Sequence, residues 1–277
     1  MSNGAMVRKG RLRARNAATG TAREGAARAG LVARGVIYAL VGVLALRIAF
    51  GDSGPEADRS GALEEISSKP FGAVLLWALG AGLVCMALWR LSEALFGAAG
   101  PDGGKAKKRL MSAARFVFYG FVAYSVLAFA AGSGGSGSSD DQSRDVTAKA
   151  LEWPAGQWIV GAGGAALVAA GVWIAVRAVM RKYHKHLKLG EMSRRARQAV
   201  DVAGVGGGVA RGAVFAAAGV FAVRAAIDYK PDKAKGMDDT LRSFAETPAG
   251  PWLLAVVAAG LVLFGVFSWA MARWRKV

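Results

Sequence analysis

The chain has 277 residues, of which 54% are hydrophobic, and its 36 Lys and Arg against 19 Asp and Glu give a net charge of +17. So basic a chain suggests nucleic acid as a partner, but more than half of it is apolar and its basic residues do not gather in one soluble domain. The single cysteine, Cys85, excludes an internal disulfide and a cysteine-based metal cluster. The composition therefore indicates a membrane protein that does not bind nucleic acid.

The apolar residues fall into six blocks of about 20 residues or more, which is the length that crosses the bilayer core of about 30 Å as a helix. Small residues often recur every fourth position within them, which favours close helix packing. The even blocks begin at prolines, a residue that suits the first turn of a helix. We predict an all-α membrane protein of six transmembrane helices, at 29–50, 70–96 (from Pro70), 110–132, 154–177 (from Pro154), 201–227 and 248–273 (from Pro248).

Two polar segments are predicted to lack structure. Residues 1–28 are basic and have few large apolar side chains, so we expect a disordered or surface-bound tail. No small-residue cleavage site follows promptly, so the first block is predicted to be a retained helix and not a signal peptide. Residues 133–139 read GSGGSGS, a flexible-linker composition from which we expect no structure or chemistry.

The segments that flank the blocks alternate in charge. Segments 1–28, 97–109 and 178–200 carry +6, +3 and +6, whereas 51–69, 133–153 and 228–247 carry −3, −2 and −1. Lys and Arg accumulate on the cytoplasmic side of membrane proteins. The pattern therefore predicts a multi-pass protein of the cytoplasmic membrane with its N and C termini in the cytoplasm.

An internal repeat is visible in the odd blocks. They read LVARGVIYALVGVLALR (31–47), SAARFVFYGFVAYSVLA (112–128) and GVARGAVFAAAGVFAVR (208–224). The even blocks share proline, any residue and glycine, and have an aromatic residue nineteen positions after the proline: Trp89, Trp173 and Phe267. The predicted units are a basic tail (1–28), three two-helix repeats (29–97, 110–177 and 201–273) and a basic connection (178–200).

The triplicated pair of helices, with an Ala-Arg-Gly start in the odd helices and Pro-x-Gly in the even helices, resembles the DUF1206 family. The resemblance implies three tandem two-helix repeats in a bacterial inner membrane, and it implies no activity. Successive repeats have the same orientation, so a pseudo-threefold axis along the membrane normal is expected. The middle repeat departs from the pattern, with Phe116 after its arginine and Met111 in place of Gly30 and Gly207. We therefore expect its odd helix to pack less closely.

Arg34, Arg115 and Arg211 occupy the same position in the three odd blocks, about one turn inside the predicted cytoplasmic end. Arginine within a membrane is costly. One interpretation is that the side chains snorkel to the surface and anchor the helices. Another is a basic ring that binds an anion or a lipid head group. A third is pairing with Glu93 or other structural partners.

Glu93 is the carboxylate well inside a predicted helix, with Arg90 one turn earlier. An Arg90–Glu93 ion pair, or a pair with a repeat arginine, is favoured over a proton relay. The lack of carboxylates at helix centres argues against an ion-coupled transporter. Arg47 and Arg224 are interpreted as anchors at the opposite membrane face, and Arg224 has the spacing to pair with Asp228.

His184 and His186 lie in the basic connection, without a third ligand nearby and beside lysines that repel cations. We therefore predict no metal site there, and interpret 181–200 as a stretch that lies on anionic lipid. Neither a catalytic constellation nor a nucleotide-binding motif in a usable context is present, so we predict no enzyme activity and no cofactor.

The function predicted first is that of a non-enzymatic structural or accessory protein, or one that binds a small anion or an anionic lipid. Its expected partners are the bilayer, anionic phospholipids, and either another membrane protein or a second copy. The alternative is a transporter or channel for a small anion or molecule along the pseudo-threefold axis. A membrane enzyme acting on lipid is the third hypothesis.

Overall fold

The structure is a computed structural model, and it describes residues 3–51, 55–97, 105–133, 138–247 and 250–276, with side chains outside 3–23 and 139. The helices in these ranges are α1 (Asn3–Ala49), α2 (Arg59–Ser67), α3 (Gly72–Phe96), α4 (Ala106–Ala130), α5 (Ser139–Leu151), α6 (Gly156–Val179), α7 (Arg194–Ile227), α8 (Met237–Ala245) and α9 (Gly250–Trp274). Three short 3-10 turns accompany them, at Lys182–His186, Leu189–Glu191 and Pro231–Lys233.

The six predicted apolar helices are confirmed. Residues Glu24–Ala49 of α1 and the whole of α3, α4, α6, α7 and α9 are long and apolar enough to cross a bilayer. Successive spans run in opposite directions, so residues 97, 105–109, 178–200 and 275–276 lie at one end of the bundle, which we call the basic end.

Two helices extend further than the sequence predicts. The backbone of α1 is helical from Asn3, so the expectation of a disordered tail is wrong there; alanine and arginine, which dominate this stretch, are strong helix formers. Helix α7 begins at Arg194, ahead of the predicted residue 201, because the Ser193 side chain accepts a hydrogen bond from the Ala196 amide and caps the helix.

Each even span is preceded by a short helix that was not predicted: α2, α5 and α8. The caps explain two of them. Asp58 accepts a hydrogen bond from the Gly61 amide at the start of α2, and Ser138 accepts one from the Asp141 amide at the start of α5. The predicted linker 133–139 is thus wrong at its end, where α5 begins, and its residues 134–137 lie outside the described ranges.

A tight turn joins each short helix to the next span. The Gly72 amide donates to the Lys69 carbonyl at 2.9 Å, and the Gly156 amide to the Trp153 carbonyl at 2.8 Å. The third residue of these turns has a positive φ, 63° and 64°, which with a preceding proline makes a type II turn. Pro70 and Pro154 therefore lie ahead of their helices and not in the first turn as predicted. Pro248 lies outside the described ranges.

The spans pack as neighbours in chain order. Helix α3 packs on α4, α6 on α7, and α9 returns to α1, while α1 packs on α3 and α7 on α9. The pair α4 and α6, the two spans of the middle repeat, makes no extensive contact in the described ranges. We call the space between these two helices the middle seam.

Glycines explain why the other two repeats are closed. A Cβ at Gly30 would lie 2.4 Å from the Met86 Cβ, and one at Gly207 would lie 2.4 Å from the Phe264 amide nitrogen. Methionine at the corresponding position, Met111, is 50% exposed. The expectation of looser packing in the middle repeat is met, since a long side chain stands where the helices would need to touch.

Candidate anion site at the basic end of the bundle

The repeat arginines point into the bundle and not outward to lipid. The Arg34 Nε donates to the Ser268 hydroxyl of α9 at 3.2 Å, and the Arg34 guanidinium lies close to the Tyr119 phenol of α4. Its guanidinium lies 5.2 Å from the centre of the Phe264 ring. Arg34 thus joins three spans at one level of the bundle.

Arg211 is held by aromatic rings. Its guanidinium carbon lies 5.5 Å from the centre of the Tyr38 ring, 5.2 Å from that of Phe215 and 4.9 Å from that of Phe264. Such cation–π contacts stabilise a desolvated charge by about 2 kcal/mol. Phe215 follows Arg211 by four residues, and an aromatic residue follows the arginine by four residues in each of the three repeats.

Arg90 and Glu93 form the predicted ion pair. Their side chains are buried, with 2.7 Å between Nη1 and Oε2, and Glu93 also accepts a hydrogen bond from Ser112 of α4 at 3.3 Å. The Arg90 guanidinium stacks 4.1 Å from the ring centre of Trp89. Glu93 thereby links α3 to α4 beside the repeat arginines.

Arg115 and Arg275 complete a group that we call the arginine cluster: Arg34, Arg90, Arg115, Arg211 and Arg275. Arg115 interacts electrostatically with Arg90, Arg211 and Glu93, and Arg275 interacts with Arg34, Arg90, Arg115 and Glu93. The Arg115 side chain is exposed, whereas the other four are half-buried or buried. Five arginines in the cluster against one carboxylate, Glu93, leave an excess of positive charge there.

The cluster has unused hydrogen-bonding capacity. The Nε atoms of Arg90, Arg211 and Arg275 are buried and have no hydrogen-bond partner. Burial, followed by repulsion from Arg90, lowers the pKa of Arg275 to about 9, so this residue is still a cation at neutral pH. Buried N–H donors without partners are costly, and an anion among them would satisfy donors and charge together.

The histidines take separate positions beside the cluster. His184 Nε2 pairs with Asp201 of α7, to which Tyr183 also donates a hydrogen bond at 3.1 Å. His186 lies near Arg275, and burial together with this cation lowers its pKa to about 4, so it is neutral at physiological pH. The segment is fixed to the C terminus, since the Lys276 amide donates to the His186 carbonyl at 2.9 Å.

Comparison with known proteins identifies the chain. The family model described as Domain of Unknown Function (DUF1206) matches three times, at residues 29–97, 110–181 and 206–275. The chain belongs to the DUF1206 family. It is 30% identical over 243 residues to "Uncharacterized protein YxxB" of Bacillus subtilis (strain 168), a match that covers 87% of each chain. No solved structure matches.

The three family matches coincide with the three helix pairs, so this DUF1206 chain is a multi-pass protein of tandem repeats. The resemblance read from the arginine and proline motifs is therefore confirmed.

The opposite end of the bundle carries an acidic cluster that the sequence did not reveal. Asp140 of α5 and Asp238 and Asp239 of α8 bring carboxylate oxygens within 4.8 Å of one another. Asp140 accepts from the Gly236 and Asp239 amides, and the other two pair with arginines of the short helices: Asp238 with Arg242 and Asp239 with Arg144. Two of these carboxylates thus have an arginine partner and the third accepts backbone hydrogen bonds, and we propose no metal there.

The predicted anchors at this end have different outcomes. Arg47 forms an ion pair with Glu65 of α2 at 3.5 Å. The predicted partner of Arg224, Asp228, forms its ion pair with Lys233 at 2.5 Å, and Arg224 interacts electrostatically with the same carboxylate. The 3-10 turn at Pro231–Lys233 brings this lysine back to the end of α7.

Sequence reasoning missed several members of the basic site: Tyr38, Tyr119, Ser112, Ser268 and Arg275. A signal existed for the tyrosines, since Tyr38 and Tyr119 follow their arginines by four residues in the repeat. No signal existed for Arg275, because it follows the last span and reaches the cluster through the antiparallel bridge between Leu187 and Arg275.

Proposed function

We propose that this protein is a non-enzymatic integral membrane protein that binds the phosphate group of an anionic phospholipid in the arginine cluster. The observation that carries the proposal is the convergence of five arginines inside the bundle, of which Arg90, Arg115 and Arg275 interact with one buried carboxylate, Glu93. Planar guanidinium groups bind phosphate through paired, charge-assisted hydrogen bonds.

Snorkelling explains this arrangement less well. An anchoring arginine extends along its helix toward the polar surface, whereas Arg211 is held between rings of α1 and α9, and Arg34 bonds to α9. Intramembrane arginines carry a cost that a structural anchor does not require. A bound anion gives these charges a partner.

The proposed setting follows from the charge pattern. The basic end faces the cytoplasm and both termini lie there, because Lys and Arg favour that side and its leaflet is rich in anionic lipid. The three repeats surround a common axis along the membrane normal, since each odd span packs on the even span of the preceding repeat, and α1 on α9.

Transport along that axis has less support. Phe264 and Tyr38 meet edge to face, with ring centres 4.7 Å apart, and Arg34 and Arg211 lie against the Phe264 ring. Aromatic side chains thus occupy the space between these arginines, where a pathway for an anion would need water or polar groups.

Native mass spectrometry of the full-length protein tests the proposal. After exchange into dioleoylphosphatidylglycerol or dioleoylphosphatidylcholine, we expect Arg211→Gln to lower retention of the first lipid about tenfold, since a charged hydrogen bond contributes about 1.5 kcal/mol or more. The second lipid should be unaffected. Arg224→Gln is the matched control, because Arg224 is an exposed arginine of the same helix at the opposite end.

A competition with inorganic phosphate distinguishes the two sources of the anion. If phosphate at millimolar concentration displaces phosphatidylglycerol from the wild-type protein, the site recognises a free anion as well as a head group. Equal retention of phosphatidylglycerol by wild type and Arg211→Gln contradicts the proposal.

A further inference from the structure

The middle seam differs from its two counterparts in what it leaves uncovered. The aromatic residue nineteen positions after the proline is 2% exposed in the first repeat (Trp89) and 7% exposed in the third (Phe267), but 58% exposed in the middle repeat (Trp173). The aromatic residue at this position is therefore packed inside the first and third repeats, whereas in the middle repeat it lines an open seam.

Two lost glycines keep this seam open. Besides Gly30 and Gly207, the closed repeats use Gly82 and Gly260, where a Cβ would lie 2.9 Å from that of Ala33 and 2.3 Å from that of Ala210. The middle repeat has larger residues at both positions, namely Met111 and Ala166, and both are exposed. Backbone contact between α4 and α6 is prevented, and side chains line the space instead.

The seam is apolar along its length and cationic at one end. Its walls, placed by correspondence with the closed repeats, are Met111, Ala114 and Phe118 of α4 and Ala166, Ala170 and Trp173 of α6, all exposed. At the basic end the charged groups of Arg177 and Lys182 each lie 6.0 Å from the Trp173 ring centre. Arg115 of α4 is exposed there as well.

The basic end of the middle seam lies beside the arginine cluster. Arg115 belongs to the cluster, and Arg177 and Arg275 both lie close enough to His186 to act on its charge. A phosphate held at the cluster would thus lie at the end of the seam, from which an attached hydrocarbon chain can extend between α4 and α6.

We propose that the middle seam holds an acyl chain of the anionic phospholipid whose phosphate occupies the arginine cluster, so that the lipid enters sideways from the bilayer between α4 and α6. This inference rests on the proposed function for its head group. The charge pattern indicates which molecule binds in the seam. Cations at one end and an apolar wall beyond them match a phospholipid, whereas a soluble anion has no apolar part to bury against the wall.

Photo-crosslinking of the wild-type protein locates the acyl chain of the bound lipid. The full-length protein is reconstituted with phosphatidylglycerol that carries a diazirine in its acyl chain, irradiated and digested, and the adducts are mapped by mass spectrometry. We expect adducts on the seam walls of α4 and α6, several-fold above those on exposed Ala165 and Val172 of α6, which lie away from the seam. An even distribution around the bundle overturns the proposal.

A seam-filling variant tests the same point by binding. Ala170→Phe should lower retention of dioleoylphosphatidylglycerol at least fivefold. The binding of inorganic phosphate to the arginine cluster should stay unchanged. Ala165→Phe is the matched control, because Ala165 is exposed on the same helix but faces away from α4.

The outcomes separate the two proposals. If Arg211→Gln lowers lipid retention and Ala170→Phe does not, the phosphate site stands and the seam proposal is wrong. If neither variant changes retention, both proposals fail. If Ala170→Phe leaves lipid retention unchanged but alters the fraction of dimer, the seam is a contact between copies and the proposal is overturned.

Discussion

The middle repeat and its two neighbours share a sequence pattern but differ in how far they close. In the first and third repeats the two spans touch through Gly30 and Gly207, and the aromatic residue of the even span is buried. In the middle repeat Met111 separates the spans and Trp173 is exposed. The difference teaches that a repeat motif specifies where helices lie, while one side chain at the contact decides whether they meet.

The arginine position shows the same contrast. Arg34 and Arg211 are enclosed by side chains of other spans, whereas Arg115, which lies in the open repeat, is exposed. Three arginines that are equivalent in sequence are therefore not equivalent in the structure. The most accessible cation of the cluster is the one beside the middle seam.

The largest effect in this comparison is expected at the aromatic position. Trp89→Ala should lower the free energy of unfolding by about 3 kcal/mol, because it leaves a cavity in a packed cluster. Trp173→Ala should cost less than about 0.5 kcal/mol, since this ring is mostly exposed. Thermal unfolding of the purified variants in detergent measures both, and equal losses would mean that the middle repeat is closed in solution.

A smaller effect is expected from giving the third repeat the middle repeat's residue. Gly207→Met places a side chain against the Phe264 backbone, only 2.4 Å from its amide nitrogen, and overpacking of this kind costs about 2 kcal/mol. Gly120→Met is the control, because a Cβ there meets nothing within 4 Å. If both variants unfold at the wild-type temperature, the glycine contact does not hold the repeat together.

The smallest effect concerns the acidic cluster, where the three repeats come together. Burial, followed by Asp58, Asp238, Asp140 and Asp141, raises the pKa of Glu56 to about 7. A carboxyl whose pKa is raised on folding binds its proton more tightly in the folded state, so stability should fall as pH rises from about 4.5 to about 7. Asp140 adds to this below pH 6, because burial raises its pKa to about 6.

Glu56→Gln should therefore reduce the loss of stability across this range and raise the unfolding midpoint at pH 7. The midpoint measured against pH checks the prediction. Glu152→Gln, which removes an exposed carboxylate of the middle repeat, serves as the control. A pH profile that Glu56→Gln leaves unchanged contradicts the role assigned to Glu56.

Part of the site could be predicted from the sequence and part could not. The recurrence of Arg34, Arg115 and Arg211 singled out the arginines, and the i,i+3 spacing of Arg90 and Glu93 predicted their pair, because both signals are periodic or local. The Arg34–Ser268 hydrogen bond and the contribution of Arg275 depend on α9 and the residue that follows it, more than 200 residues from α1 in the chain. Contacts of that range leave no local pattern.

The positive charge on an apolar chain, together with the six apolar blocks and their repeat, determined the helices and the three-repeat plan, since length and hydropathy suffice to place helices in a membrane. Several features came only from the tertiary structure: the short helices α2, α5 and α8, the convergence of the arginines in one cluster, and the open seam of the middle repeat. Each depends on which surfaces meet, and packing is decided by side-chain volume at contacts between segments that are distant in sequence.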